Sequence, residues 1–467
     1  MIKTTLSWVA EKINGKLVGA DCHIVDVSTD TRTIREGAIY LALKGPNFNG
    51  HDFAKQAEAA GAKAIIASEQ VETSLPVVQV NDTKLALGLL GAAVKQCVAP
   101  KTLAITGSSG KTTVKEMCAA ILQSCGSVLA THGNFNNDIG VPLTLLRLEE
   151  HHKFAVMELG ANHKGEIAYT TDLVKPDVAT IVNAAASHLE GFGSIDGVAR
   201  AKSEIFDGLG DDGIAIVNVD SEFASFWLDK LEGTQTLTFS PNQKNAADFY
   251  ASDIHMQRDG CASFVLNCPQ GNVDIQLTIP GTHNVGNALL AAALTLNVGA
   301  TLDNVRTGLS SMKQVDGRLN VRQLNTKIRL LDDSYNANVA SVKAAIDTLS
   351  QFTGARVLVL GDMAELGDES EFYHQQIGEY AKQKGIDYLY SMGDFSVLSS
   401  QAFNVNGAHF ADVDSLVKTF ENEVVNAFGD ISILVKGSRS SKMERVVKAI
   451  EASSFARSNI NEEHDKC

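Results

Sequence analysis

The sequence predicts an α/β protein built as three domains, and three observations carry that prediction. At 467 residues the chain exceeds what one core can organise, and the usual domain size gives roughly three units. Short apolar runs alternate with stretches of helical periodicity over most of the chain, the pattern of sheets covered by helices. Finally, the run Thr102-Leu-Ala-Ile-Thr-Gly-Ser-Ser-Gly-Lys-Thr-Thr113 reads as strand, phosphate-binding loop and helix, and so marks the core of a central unit.

Composition narrows the function classes. With 44% hydrophobic and 20% charged residues the chain is of the soluble globular type. A formal net charge of -15 argues against nucleic acid or an anionic membrane as partner. Small molecules held by local positive charge are the expected ligands. The cysteines at 22, 97, 118, 125, 261, 268 and 467 show neither C-x-x-C nor His/Cys metal spacing, so reduced and mostly buried thiols are expected. Met1 to Ile13 lacks the uninterrupted apolar run of a signal peptide, and no stretch is long enough to span a bilayer. The expectation is a cytoplasmic protein without a membrane span and without an obligate partner, acting as a monomer.

Residues 1–98 read as a small N-terminal α/β domain. Strands are expected at Ala38–Leu43, Ala64–Ala67 and Val77–Val80, with helices over Phe53–Ala60 and Lys84–Cys97. Ser28-Thr-Asp-Thr-Arg32 and Lys44 to Phe53 gather polar groups and glycines at strand ends, where they serve either as ligand loops or as ordinary turns.

Residues 99–312 read as a central P-loop-type domain with a parallel sheet. Leu103 to Ile105 suit a buried strand, and Gly107, Ser108, Ser109 and Gly110 supply a loop whose bare backbone closes around phosphate oxygens. Lys111 adds a point charge, Thr112 a hydroxyl suited to Mg2+, and Thr113 continues into a helix. That helix buries Val114, Met117, Cys118, Ile121 and Leu122 at i, i+3, i+4 and i+7 spacing. Ile105 stands where the full P-loop pattern has glycine, and a Gly/Ser turn before a surface lysine is the competing reading. An Asn-rich loop, Thr131 to Pro142, then precedes a helix expected at Leu143–Leu148.

Two further buried strands, Phe154–Met157 and Val178–Val182, lead to Glu158 and His188. A carboxylate at the C-terminal end of a strand beside a P-loop is where nucleotide-bound Mg2+ needs an oxygen ligand, which singles out Glu158. His188 is a ligand or a core histidine on spacing alone. Lys202, expected at the start of a helix, reads first as a solvated lysine. Residues 235–280 turn β-rich, and Gly281 to Asn287 open an apolar helix on which Asn284 and Asn287 share a face suited to a planar base.

Residues 313–452 read as a third, Rossmann-like α/β domain. Strands are expected at Ile328–Leu331, Arg356–Leu360 and Ile431–Val435, with helices at Ser341–Leu349 and Met443–Ala452. Its polar loops, Asp332 to Asn338 and Lys436 to Lys442, follow strands, at the sheet edge where α/β proteins bind ligands. The tail, residues 453–467, lacks periodicity and is expected to be mobile.

Taken in order, these motifs resemble those of the Mur ligase family, ATP-dependent enzymes that form amide bonds on a UDP-linked muramic acid precursor of peptidoglycan. The resemblance runs from residue 1 to about 452. It rests on Thr106-Gly-Ser-Ser-Gly-Lys-Thr112, Met157-Glu-Leu-Gly160, His188, Ala201-Lys-Ser-Glu204, Gly281-Thr-His-Asn284 with Asn287, and Asp316-Gly-Arg318. Gly133 to Gly140, Glu158 to His163, Asp332 to Asn338 and Lys436 to Arg439 are similar to the variants of those members that add D-alanyl-D-alanine to UDP-MurNAc-tripeptide.

The resemblance implies roles residue by residue. Lys111 and the loop amides would hold the phosphates of ATP, and Thr112 and Glu158 one Mg2+. His188 and a carbamylated Lys202 would serve a second Mg2+, which reverses the solvated reading of that lysine. Asn284 and Asn287 would meet adenine, Arg318 the γ-phosphate and Asp333 the ribose. Ser28, Thr29, Asp30, Arg32, Asn49 and His51 would hold the uridine diphosphate end. Asn134, Asn137, Asn336, Asn338, Lys436 and Ser438 would contact the remaining substrate. Catalysis would fall to Lys111, Glu158, His188, Lys202 and Arg318, with the third domain closing on the second about segments near 98 and 313. Val339 departs from the family, which commonly has proline there, and the tail has no counterpart. The alternatives are a sister ligase that adds a diamino acid to UDP-MurNAc-dipeptide, whose Asp-Asn-Pro-Arg loop is not found here, and a nucleotide-binding regulator without turnover.

Overall fold

The computed structural model of the chain describes residues 1–242, 246–425 and 429–457. Three sheets dominate it, and each carries its polar loops at the carboxyl edge of parallel strands.

The first sheet has five strands, ordered Lys16–Val18, Val77–Gln79, Ala64–Ala67, Ala38–Leu41 and Asp26–Ser28. The last two pair in parallel, so the loops after Ser28 and Leu41 emerge side by side. Ala38–Leu41 and Ala64–Ala67 are buried throughout, as an apolar run with helices or loops on both faces must be. A helix not anticipated from the sequence, Leu6–Lys12, begins at a Thr5 cap and buries Leu6, Val9 and Ala10. Its single turn of apolar spacing is too short to stand out among flanking polar residues.

The central sheet has nine strands, ordered Val128–Ala130, Phe154–Glu158, Lys101–Thr106, Val178–Ile181, Ile214–Asn218, Gln235–Ser240, Phe249–Met256, Cys261–Cys268 and Gly271–Pro280. It is parallel through Phe249–Met256 and closes as an antiparallel meander. The phosphate-loop strand therefore lies between the strands that carry Glu158 and Asn183. The helix His283–Leu296 is buried from Asn284 to Thr295, as its unbroken apolar sequence requires.

The third sheet has six strands, ordered Asn320–Gln323, Ile328–Asp333, Ile431–Lys436, Ala355–Gly361, Tyr388–Met392 and Gly407–His409. Only its first pair is antiparallel.

Several expectations are corrected. The helix expected at Leu143–Leu148 runs over Gly140–Leu145, because Asn137 Oδ1 accepts from Gly140 N–H at 2.8 Å and starts it earlier. Lys202 lies in the last turn of helix Ile195–Ser203 rather than at a helix start; Ser194 caps that helix, and the buried Val198, Ala199 and Ala201 form its inner face. At the start of the tail a short helix spans Ser454–Arg457, with Phe455 packed against Phe420 at 5.3 Å between ring centres. Residues 458–467, and with them Cys467, lie outside the described residues. The six described cysteines are free thiols, but only Cys118 and Cys261 are buried and Cys97 is exposed. Among the described residues no helix is long and apolar enough to cross a membrane.

Candidate active site

The phosphate loop is held open by contacts along its outer side. Ser108 N–H donates to the Asn183 carbonyl at 3.0 Å, and Ser108 Oγ donates to the Ala185 carbonyl at 3.0 Å. Ser109 N–H donates to Asn183 Oδ1 at 2.9 Å. Gly110 has φ +78°, in the left-handed region, and a Cβ there would stand 3.2 Å from Asn287 Oδ1. Lys111 opens helix Lys111–Gln123 and turns back to the Gly107 carbonyl at 2.7 Å. Burial pulls the Lys111 amine below its ordinary range; Glu158 opposes that shift and Arg318 reinforces it.

Glu158 is 2% exposed and ends its strand beside Ile105. Its two carboxylate oxygens accept from Thr112 Oγ1 at 2.9 Å and from Asn136 Nδ2 at 2.8 Å. A buried carboxylate needs such donors to satisfy its oxygens. Arg318 crosses from the third domain and donates through Nη2 to Thr112 Oγ1 at 3.2 Å, with its guanidinium 4.3 Å over the Tyr335 ring. From the same domain, Asn338 Nδ2 donates to the Ser108 carbonyl at 3.0 Å.

Of these groups, Ser108, Ser109, Gly110, Arg318 and Asn338 border a cavity of about 400 Å³. Asn284 and Asn287 line it, joined by an Asn287 Nδ2 to Asn284 Oδ1 bond at 2.8 Å. Opposite stand Asp333 and Lys436, which form an ion pair; Lys436 also donates to the Asn336 carbonyl at 2.9 Å and is 2% exposed. Burial lowers the Lys436 pKa, with Asp333 opposing. His283 joins the same wall, its pKa lowered by burial. A concave site with polar groups converging from two domains suits a nucleotide.

Other expected residues lie differently. His188 does not reach Glu158 through any described contact; its Nδ1 meets Glu365 Oε2 of the third domain. Lys202 is 2% exposed, and its amine has no hydrogen-bond or ion-pair partner among the described residues. Burial, reinforced by the charge of Lys111, holds its pKa well below the ordinary 10.5. Of the Asn-rich loop, Asn134 and Asn137 are exposed, while Asn136 holds Glu158. Ser438 is buried, with its N–H on the Asp362 carbonyl at 2.8 Å.

At the far sheet edge, Asp30 and Arg32 pair bidentately, which lowers the Asp30 pKa to about 2. Ser28 Oγ donates to the Asp30 carbonyl at 2.9 Å, beside the half-buried Thr29. His51 Nδ1 faces Asn49 Oδ1 at 2.6 Å and its Nε2 accepts from Ser68 N–H at 2.9 Å, so the proton sits on Nδ1. Asn136, Asn183, His283 and Glu365 were not singled out from the sequence. Asn183 alone carried a signal, since it follows a buried strand as Glu158 does.

Comparison with known proteins identifies relatives of this chain. Family models match residues 23–116 (Mur ligase family, catalytic domain), 105–295 (Mur ligase middle domain) and 317–439 (Mur ligase, glutamate ligase domain). The chain is 51% identical over 451 residues to the UDP-N-acetylmuramoyl-tripeptide--D-alanyl-D-alanine ligase of Escherichia coli, covering 97% of this chain and 99% of that one. The Bacillus subtilis protein of the same name is 34% identical, over 96% and 98%. The structure superposes on MurF from Acinetobacter baumannii with a TM-score of 0.91 at 35% identity, covering 97% and 99% of the two chains. It also superposes on the Thermotoga maritima MurF ligase in complex with ADP, with a TM-score of 0.80 at 28% identity over 91% and 97%. The chain belongs to the Mur ligase family.

Proposed function

We propose that this chain is an ATP-dependent ligase that joins D-alanyl-D-alanine to UDP-MurNAc-tripeptide through an acyl phosphate, giving UDP-MurNAc-pentapeptide for peptidoglycan synthesis. The observation that carries ligase chemistry is the Arg318 to Thr112 contact, which brings a third-domain cation to the phosphate loop. The name shared by relatives up to 51% identical supports the choice of acceptor and amine.

A carboxylate is a poor electrophile, so one of its oxygens attacks the γ-phosphorus of ATP and ADP departs. The dipeptide amine then attacks the acyl carbon, loses a proton, and phosphate leaves as the amide forms. Lys111 and Arg318 offset charge on the transferring group, and the loop amides from Gly107 to Thr113 hold its oxygens. Asn284 and Asn287 bind the base and Asp333 the ribose. The loops with Ser28, Thr29, Asp30, Arg32, Asn49 and His51 hold the uridine diphosphate end. Asn134, Asn137, Asn336, Asn338, Lys436 and Ser438 remain the assigned contacts for the rest of the substrate.

The donor set suits a hard divalent cation. Glu158 is held by Thr112 and Asn136 with lone pairs to spare, and such a carboxylate with a hydroxyl beside a phosphate is a Mg2+ pattern. Mg2+ bound there supplies charge neutralisation on the phosphates. We assign a second site to His188 and to Lys202 as its carbamate. A buried lysine whose pKa is lowered by burial more readily offers the free amine that attacks CO2. Residues from all three sheets serve one chain's site, so a monomer suffices, and the substrates are those of the cytoplasm.

The test is phosphate release from ATP and Mg2+ with UDP-MurNAc-tripeptide and D-alanyl-D-alanine. Release that needs both is expected. Release with UDP-MurNAc-dipeptide and a diamino acid would move the protein one step back, and no release with any acceptor would mark a regulator.

A further inference from the structure

The helix that opens at the phosphate loop carries a second lysine, and this one faces inward. Helix Lys111–Gln123 buries Val114, Met117, Cys118, Ile121 and Leu122, and with them Lys115, which is 2% exposed. Burying an ammonium group costs stability unless its bonds are made, and an apolar side chain would fill the same space without that cost. Lys115 takes no part in the wall of the nucleotide cavity. Its amine donates instead to the Thr131 carbonyl at 2.7 Å and pairs with Glu116 at 2.6 Å.

Thr131 is where strand Val128–Ala130 gives way to the Asn-rich loop. It is 1% exposed; its N–H donates to the Val156 carbonyl at 3.0 Å, and its Oγ1 accepts from the Glu158 N–H at 3.0 Å. Farther along the loop, the Asn136 carbonyl accepts from Gly160 N–H at 2.8 Å while Asn136 Nδ2 donates to Glu158 Oε1. The loop therefore brackets Glu158 at both of its ends, and Lys115 ties its first residue to the phosphate-loop helix. Thr112 and Lys115 are an i, i+3 pair on that helix and share a face. Thr112 Oγ1 donates to Glu158 Oε2 at 2.9 Å. One helix face thus holds the Glu158 carboxylate directly and its backbone by way of Thr131.

We propose that Lys115 is a positioning residue for the metal site: through Thr131 it sets the strand end that bears Glu158 against Thr112, so that the two oxygen ligands keep their spacing before nucleotide and cation arrive. The proposal rests on the reading above that Thr112 and Glu158 serve Mg2+. Its contacts all lie within the central domain, so the spacing is set without the third domain, and Arg318 reaches a hydroxyl already in place. A charged donor suits the task, because an ammonium holds a carbonyl more tightly than a neutral group does, the more so where water is excluded.

The test is Mn2+ binding to the full chain with one equivalent of ADP, followed by loss of the free-ion electron paramagnetic resonance signal beyond that caused by ADP alone. Lys115→Met should weaken Mn2+ binding by about tenfold or more, the scale for losing an outer partner of a metal-binding carboxylate. Its affinity for ADP in the presence of a chelator should stay unchanged. Lys115→Arg keeps a charged donor and should recover most of the loss. Thr131→Val keeps the carbonyl that Lys115 holds but deletes the acceptor for the Glu158 N–H; it too should weaken Mn2+, and it decides the matter if Lys115→Met does not fold. A merely structural lysine would give a lower melting temperature in Lys115→Met with Mn2+ affinity unmoved. That result, or unmoved Mn2+ affinity in Thr131→Val, would overturn the proposal and leave the metal assignment intact. An unaltered chain that binds ADP but takes up no Mn2+ would instead remove the assignment of Thr112 and Glu158, and the proposal with it.

Discussion

Asn338 clasps Ser108. Its side-chain amide donates to the Ser108 carbonyl at 3.0 Å, while its Oδ1 caps helix Val339–Leu349 by accepting from Ser341 N–H at 2.8 Å. One side chain therefore starts a helix in the third domain and steadies the phosphate loop of the second. Asn338→Ser keeps an acceptor for the cap and deletes the amide donor. Its melting temperature should stay near that of the unaltered protein, while kcat/KM for ATP falls by about tenfold. Asn338→Ala should lose both functions, with about 1 kcal/mol of stability gone as well. An unchanged kcat/KM in Asn338→Ser would show that the clasp has no part in turnover.

Asn136 orients Glu158 from a loop that the strand pattern does not reach. Removing an outer partner of a metal-binding carboxylate weakens the metal by about 10- to 100-fold. Asn136→Ala should therefore shift the Mg2+ dependence of activity toward higher concentration by such a factor, and saturating Mg2+ should restore most of kcat. A Mg2+ titration that superposes on that of the unaltered enzyme would contradict the assignment of Glu158.

Lys202 is buried without a partner, so it costs the ligand-free protein stability. Lys202→Met should melt higher than the unaltered chain and yet lose turnover by about a hundredfold or more, the upper range for disrupting a metal environment. Isotopically labelled bicarbonate should give a carbamate signal by NMR in the unaltered protein and none in the variant. A labelled carbamate that survives in Lys202→Met would place the modification elsewhere.

His374 carries a pH dependence of stability whose sign follows from its surroundings. It is fully buried, with Nδ1 on the Ser370 carbonyl at 2.7 Å and Nε2 accepting from Met363 N–H. Nε2 can accept only in the neutral ring. Burial lowers its pKa below the ordinary 6.5. As pH falls below 6.5 the unfolded chain takes up a proton that the folded chain refuses, so stability drops until the folded pKa is passed. Urea unfolding at neutral and mildly acidic pH should show this loss in the unaltered protein. His374→Gln, weaker by about 1–3 kcal/mol at neutral pH, should show a smaller loss over the same interval. Parallel losses in the two proteins would assign the effect to other histidines.

What could be read from the sequence was local. The phosphate loop declares itself because glycine, lysine and threonine act within one turn of chain, and Glu158 because strand ends are recognisable. Asn136 and Glu365 could not be found that way, since each acquires its meaning from a partner distant in the sequence, Glu158 of the same domain in one case and His188 of another domain in the other. The end of the helix that carries Lys202 is not legible in the sequence, because the cap that starts it, Ser194, sits among glycines and polar residues that suit a turn equally well. Helix Ser370–Gln383 is masked in the sequence for a related reason. Its buried stripe contains Ser370, His374, Ile377, Gly378 and Ala381, too few of them large and apolar to show as a hydrophobic period.

The loops after Gly361 and Lys436 are attached to strands that are buried along almost their whole length, and they are tied to one another at the Asp362 carbonyl, which accepts from Ser438 N–H and from Ser441 Oγ. Anchoring of that kind separates what may be rewritten from what must persist. A change in either loop is therefore felt by the other through a single carbonyl, while the sheet beneath keeps its place.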